Sequence, residues 1–221
     1  SASSDAITLA SDGTATARIT NYPHRNIVIN GAMQVAQRGT SSTVSQYQAI
    51  DRWQANWTGG GVTQSQVDVS SNDPAPFALG FRKALRVKNT STATGASNHR
   101  DIRYQIEAQD LAGSGWDSVS TDSDITISFW CKSTVAQTYY CFHYVPDSTK
   151  HYVWSFALSA DTWTKVTKTI PGASGVTINN DNGAGMSIQI CLFYGTDFTS
   201  SGVSLNTWSA WDGGARTPDM T

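Results

Sequence analysis

Carboxylates come first, because glycoside hydrolysis needs two of them at a fixed separation. Of the 17 acidic residues only Glu107 is a Glu; the other acids are Asp. Asp101, Asp110, Asp117, Asp122 and Asp124 fall in loops or at strand starts, where turn formation and capping account for them. No catalytic pair is legible. The four histidines are His24, His99, His143 and His151. They form no HExxH motif, and no nucleophile elbow is present. His99 stands before Arg100-Asp101 in a polar loop. His143 and His151 flank a turn and are placed to face each other across it, as an exposed cross-strand pair or, less simply, a metal pair. Asn179-Asn180-Asp181-Asn182-Gly183-Ala184-Gly185 alternates oxygen ligands before Gly as a calcium loop does. The downstream Glu of such a loop is missing, so a glycine-rich turn is the reading. Gly59-Gly60-Gly61 lacks the strand, helix and Lys of a phosphate cradle and reads as a flexible loop. Cys131, Cys141 and Cys191 show no CxxC spacing, which leaves zinc and redox motifs unsupported. They read as buried small hydrophobes, with one disulfide plus a free thiol as the alternative. No cofactor and no metal are expected.

Aromatic residues carry the ligand-binding expectation. Tyr139-Tyr140-Cys141-Phe142-His143-Tyr144 puts rings on both faces of one strand. One face packs inward; the other presents rings to a sugar or to a neighbouring subunit. Trp130 and Trp154 lie nearby in the pattern, and Trp208 and Trp211 lie in a terminal Gly/Ser-rich loop. The candidates for glycan contact are Trp130, Tyr140, Trp154, Trp208 and Trp211.

These side chains need a β scaffold, and the patterning supplies one. Ile125 to Lys132 alternates apolar and polar residues until Trp130. Met186 to Tyr194 does the same, with Met186, Ile188, Ile190 and Leu192 on one face. Ala84 to Lys88 and Ile102 to Glu107 are shorter examples. Gln137 to Val145, His151 to Leu158 and Trp163 to Ile170 are further strands, the first two joined through Pro146-Asp147-Ser148. Polar turns between many strands predict an all-β fold, an antiparallel jelly-roll β-sandwich. Residues 1–23 read differently: a small-residue hairpin around Ser11-Asp12-Gly13, closed by Asn21-Tyr22-Pro23, serves as an N-terminal connector. Residues 24–221 form the main domain.

Composition narrows the class. The chain has 221 residues, enough for one large β domain plus an appendage. Only 14% are charged and the net charge is -2. That balance argues against a phosphate-neutralising surface and so against nucleic-acid binding. No apolar run is long enough for a transmembrane helix, so no membrane insertion is expected. Ser and Thr, roughly a quarter of the chain, supply solubility in place of charge. The start carries neither an initiator Met nor a signal peptide, which suggests a piece of a longer or trimmed chain.

Asn26-Ile27-Val28-Ile29-Asn30-Gly31-Ala32-Met33-Gln34-Val35-Ala36-Gln37-Arg38-Gly39-Thr40, followed by Tyr47 to Trp53, closely resembles a signature of tail-fibre and other virion fibre proteins of tailed bacteriophages. Ile106-Glu107 with Leu111, Ile127-Ser128-Phe129-Trp130, Trp163-Thr164-Lys165-Val166 and Asn182 to Met186 resemble later stretches of that family in the same order. The resemblance spans about residues 26–215. It implies a jelly-roll, carbohydrate-binding-module-like domain in a homotrimeric virion fibre at the tail or capsid surface, among other virion structural proteins and facing host surface polysaccharide. The family's closing "TGVQLE" strand has no counterpart here.

The signature residues Asn30, Gly31, Gln37, Arg38, Gly39, Asp51, Arg52 and Trp53 read as structural. Asn30-Gly31 is a turn pair with Gly at positive φ. Arg38 forks onto carbonyls or a carboxylate, and Asp51-Arg52 is a buried pair beside a core Trp53. Alternatively, Gln37, Arg38 and Asp51 line a ligand site. The expected function is a non-enzymatic structural and adhesive virion component. The alternatives are a polysaccharide depolymerase, a capsid decoration protein, or a binding module clipped from a secreted enzyme.

Overall fold

The computed structural model describes residues 7–9, 11–13, 15–17 and 26–220. Strands β1 (Ile7–Leu9) and β2 (Ala15–Ala17) pair antiparallel, with Ile7 opposite Ala17. The expected punctuation at Asn21-Tyr22-Pro23 lies outside the described residues.

The elements after it are β3 (Ser41–Ser42), β4 (Trp53–Thr58), β5 (Val62–Asp68), α1 (Pro74–Ala78), β6 (Lys83–Asn89), β7 (His99–Glu107) and α2 (Ala108–Ala112). Then come β8 (Asp124–Cys131), β9 (Gln137–Val145), β10 (Lys150–Leu158), β11 (Thr164–Pro171), β12 (Ala184–Tyr194) and β13 (Trp208–Ala210). The fold is all-β, with antiparallel sheets. A six-stranded sheet runs β13-β10-β9-β12-β7-β4, a two-stranded one pairs β11 with β8, and a three-stranded one runs β3-β5-β6.

Period-two alternation gives the large sheet two unlike faces. On the first, Tyr104 and Ile106 of β7, Cys141 and Val145 of β9, Tyr152 and Trp154 of β10, and Met186 and Ile188 of β12 form one buried cluster. Ile125, Ile127 and Phe129 of β8 and Val166 and Ile170 of β11 close over it. The Phe129 ring lies 6.4 Å from Trp154 and 5.6 Å from Phe156. Buried aromatic and aliphatic area of this kind is the main stabiliser of such a domain.

Several expectations change at this level. His99 is not a loop residue; it opens β7, and Asp101 follows at the start of that strand. His143 and His151 do not face each other, because His143 pairs with Tyr152 and His151 with Tyr144. That one-residue offset sends the two imidazoles to opposite faces. Gly59-Gly60-Gly61 is a corner that takes the chain from the large sheet to the three-stranded one. Gly59 and Gly60 have φ of +67° and +64°, and a Cβ on Gly59 would fall 2.1 Å from the Asn98 side chain. Cys131, Cys141 and Cys191 are unbridged. The single-face alternation of β12 stops at a register shift between Cys191 and Phe193.

Candidate functional site

The signature segment folds as a clamp around Asn30. Its Nδ2 donates to the carbonyls of Val35 (2.9 Å) and Asp51 (3.0 Å), and its Oδ1 accepts from the Val35 amide (3.0 Å). The Trp53 indole donates to the Asn30 carbonyl at 3.2 Å, and its ring packs 4.9 Å from Tyr104. The positive φ expected at Gly31 sits at Asn30 instead (+57°), a conformation Asn tolerates well. Gly39 has φ of +132°. Arg38 donates to the Tyr47 carbonyl at 3.2 Å, and Gln37 is exposed. The expected buried Asp51–Arg52 pair does not form. Arg52 is exposed, has φ of +73°, and its partner is Glu107.

That partner opens onto the second face of the large sheet. Along β7 the face carries Asp101, Arg103, Gln105 and Glu107 at alternate positions, a polar ladder graded from closed to open. Asp101 is fully buried. Its Oδ1 accepts from Asn56 Nδ2 (3.1 Å) and lies 3.5 Å from Arg103 Nε; its Oδ2 accepts from the Tyr194 hydroxyl (3.3 Å). Gln189 donates to Ser187 at 3.0 Å beside them, and both are buried. Burial pushes the Tyr194 phenol and the Cys191 thiol well up, so both stay protonated.

Glu107 forms the open end. Its Oε1 lies 3.5 Å from Arg52 Nη1 and its Oε2 accepts from Gln109 Nε2 at 3.1 Å. The Tyr47 hydroxyl donates to Gln105 Oε1 at 3.3 Å. With Asn182 these side chains line a cleft of about 180 Å³. The Asn182 turn reaches the cleft because Gly185 packs on α2, where a Cβ would fall 2.6 Å from Ala108 Cα.

The register lines up a row across the strands from this end. Gln105 lies opposite Ser187, Ser187 opposite Tyr144, and Tyr144 opposite His151. Trp211 covers the far end, with its ring 4.5 Å from Tyr144, 5.7 Å from Phe142 and 5.5 Å edge-on from His151. Phe198, Val203, Leu205 and Met220 pack beside it over Phe142, Val153 and Tyr194. The Arg216 guanidinium sits 4.6 Å over Phe198 and 5.3 Å over Trp211.

The five aromatic candidates therefore separate. Tyr140 and Trp211 are half-buried on the second face. Trp154 is a correction: it is 2% exposed in the first-face core, and its indole donates to His143 Nε2 at 3.1 Å. Trp208 is half-buried in β13 and not in a loop; it packs against the same cluster, stacks on Trp116 at 6.5 Å and donates to the Pro171 carbonyl at 2.7 Å. Trp130 is half-buried on β8 between Phe129 and Cys131, both of which pack on the core. Its side chain thus points to the outer face of the two-stranded sheet. Of the residues that meet here, Arg52 reads from sequence only as a buried partner of Asp51, Glu107 only as the one Glu of the chain, and Tyr144 only as the end of an aromatic run. Gln105 carries no signal beyond the polar half of the alternation in Ile102 to Glu107.

A second cleft lies at the ends of β8 and β11. There Asp73 accepts from Lys132 at 2.8 Å and from the Trp163 indole at 2.6 Å. The Lys132 bond above all, then that of Trp163, holds the Asp73 carboxyl down at about 2. Among the described residues no three His, Cys, Asp or Glu gather as a metal site, and no helix is long and apolar enough to cross a membrane. The chain matches no protein-family model and no curated protein.

Proposed function

We propose that this chain is a non-enzymatic structural and adhesive domain of a tailed-bacteriophage virion. In this reading it is a jelly-roll β-sandwich, assembles as a homotrimer with other virion structural proteins, and holds host surface polysaccharide. The fibre assignment rests on the signature between Asn26 and Trp53. The adhesive part is carried by one observation, the row in which exposed Gln105 and half-buried Tyr144 flank the buried Ser187, with Trp211 at the end. Sugars are bound by ring stacking on aromatic faces together with hydrogen bonds to hydroxyls, and this row offers both within about 15 Å at ordinary strand spacing.

The rival depolymerase reading asks for two carboxylates roughly 5–10 Å apart. The two carboxylates of the ladder, Asp101 and Glu107, bracket most of β7. Six residues of extended chain separate them by about 20 Å, and Asp101 is sealed from solvent.

The test incubates the purified domain with fluorescently labelled host polysaccharide. Binding with no new reducing ends is expected, together with a trimer mass by sedimentation equilibrium and antibody labelling of intact particles. Trp211→Ala should weaken cell adsorption. Release of reducing ends would overturn the adhesive reading, and unlabelled particles the virion one.

A further inference from the structure

We propose that the cleft between Arg52 and Glu107 is a subsite for an uncharged sugar ring, recognised through two adjacent hydroxyls. The proposal rests on the adhesive reading and names the sugar class it takes. The first argument is charge. Arg52 and Glu107 sit 3.5 Å apart, with side chains 46% and 39% exposed. A charge-assisted bond closes to about 2.8 Å, so this pair is loosely engaged and both groups keep capacity for a ligand. One hydroxyl accepts from Arg52 and donates to Glu107; its neighbour meets the Gln105 and Asn182 amides and the Tyr47 phenol. The pair carries no net charge, so a carboxylated sugar that meets Arg52 also meets Glu107, and an amino sugar that meets Glu107 also meets Arg52; neither gains a net attraction to offset the water it gives up.

The second argument is what the signature holds in place. Asn30 fixes the Asp51 carbonyl, one residue before Arg52. Arg38 fixes the Tyr47 carbonyl. Arg52 itself is held at a φ of +73°, a left-handed conformation that costs a non-Gly residue free energy and recurs at ligand sites. Two of the signature's polar residues, Asn30 and Arg38, thus serve to hold Arg52 and Tyr47 over Glu107 and Gln105.

The experiment titrates the whole domain with the methyl α-glycosides of glucose, mannose and galactose, with methyl α-galactosiduronate and glucosamine as charged controls. Side-chain amide resonances of Gln105 and Asn182 are followed by NMR. At least one neutral glycoside should shift both amides and bind more tightly than either charged sugar. Glu107→Gln should weaken it about tenfold or more, the loss expected for one hydrogen bond to a charged group, and should narrow the gap to the uronate. The proposal is overturned if no neutral glycoside moves these amides in the unaltered protein, or if the uronate binds best. It is equally overturned if Glu107→Gln changes the oligomeric mass and leaves sugar binding intact, which would make the cleft a contact between copies. Polysaccharide binding that survives Glu107→Gln but not Trp211→Ala sinks this subsite and keeps the adhesive reading. No polysaccharide binding by the unaltered domain sinks both.

Discussion

The two faces of the six-stranded sheet are built from the same strands by different rules. On the first face each inward residue is apolar or aromatic, and β8 and β11 seal it. His143 is one exception, stacked on Trp154 and bonded to its indole; Arg100, at the edge of the same face, is another, bonded to Asn89 and to the Gly59 carbonyl. On the second face the inward positions of β7 and β12 are Asp101, Arg103, Ser187 and Gln189, and a long C-terminal segment covers only part of them. Apolar burial stabilises without direction, whereas a buried polar network holds geometry at a cost in desolvation. One sheet thus carries a continuous apolar core on one side and, on the other, a polar network beside a smaller apolar cluster.

The sharpest way to break that contrast is to cut each face once. Trp154→Ala should cost about 3–5 kcal/mol in urea unfolding, as large aromatic deletions do. Asp101→Ala should cost a similar amount, about 3–5 kcal/mol, because Arg103 is left without its carboxylate. The faces then diverge. Replacing Asp101 and Arg103 together by Leu and Met should recover much of the loss, since an apolar pair avoids the desolvation penalty. If the double change is as damaging as the single one, the second face is a stabilising core and the contrast fails.

Acid sharpens the comparison next. Burial holds His143 down to about 3 in the folded chain, against about 6.5 unfolded. Between those values the unfolded chain binds a proton that the folded one refuses. Its contribution is therefore complete above about pH 6.5 and falls by about 1.4 kcal/mol per pH unit toward 3. His143→Phe should flatten the unfolding midpoint between pH 6.5 and 4.5 relative to the unaltered protein; parallel pH profiles would refute the assignment.

Smaller effects lie off the sheet. Asn30→Ala removes three side-chain hydrogen bonds of the signature loop and should cost about 1–3 kcal/mol. It should also loosen Arg52, readable as broadened Gln105 amide signals. Asp68→Asn breaks an ion pair with Lys83 whose carboxylate is 79% exposed. It should move the midpoint by less than about 0.5 kcal/mol, and a larger shift would mean the three-stranded sheet matters more than its exposure implies.

Strands that alternate cleanly were legible from residue types. Gln137–Val145 is found over that range, and the turn at Pro146-Asp147-Ser148 joins it to β10 as expected. Trp53–Thr58 alternates apolar and polar residues but is short and sits inside the signature, while in Val62–Asp68 Gln64 and Gln66 occupy positions where apolar residues would signal a face. Both amides are bonded instead: Gln64 to the carbonyls of Val44 and Gln46, Gln66 to those of Met33 and Gln34. The site was obscured for the same reason. Asp101 after His99-Arg100 looks like a solvated loop until Asn56 and Tyr194, 45 and 93 residues away in the chain, are brought to it. Trp154 reads as a surface candidate although it is core, because an indole serves a core as readily as a surface when its N–H finds an acceptor.

The order of strands in the large sheet also sets a timetable. Only β9 and β10 are neighbours both in the chain and in the sheet through a short turn. β7 takes β4 on one edge, but its other edge waits for β12, whose first residue is Ala184. Until about residue 194 has left the ribosome, the ladder Asp101 to Glu107 has no second wall and the strand's edge lies open. Long-range pairings of this kind fold slowly and leave unpaired edges in the meantime. β12 is thus the closing piece, and a chain halted before Ala184 is expected to accumulate as an aggregation-prone half-sheet.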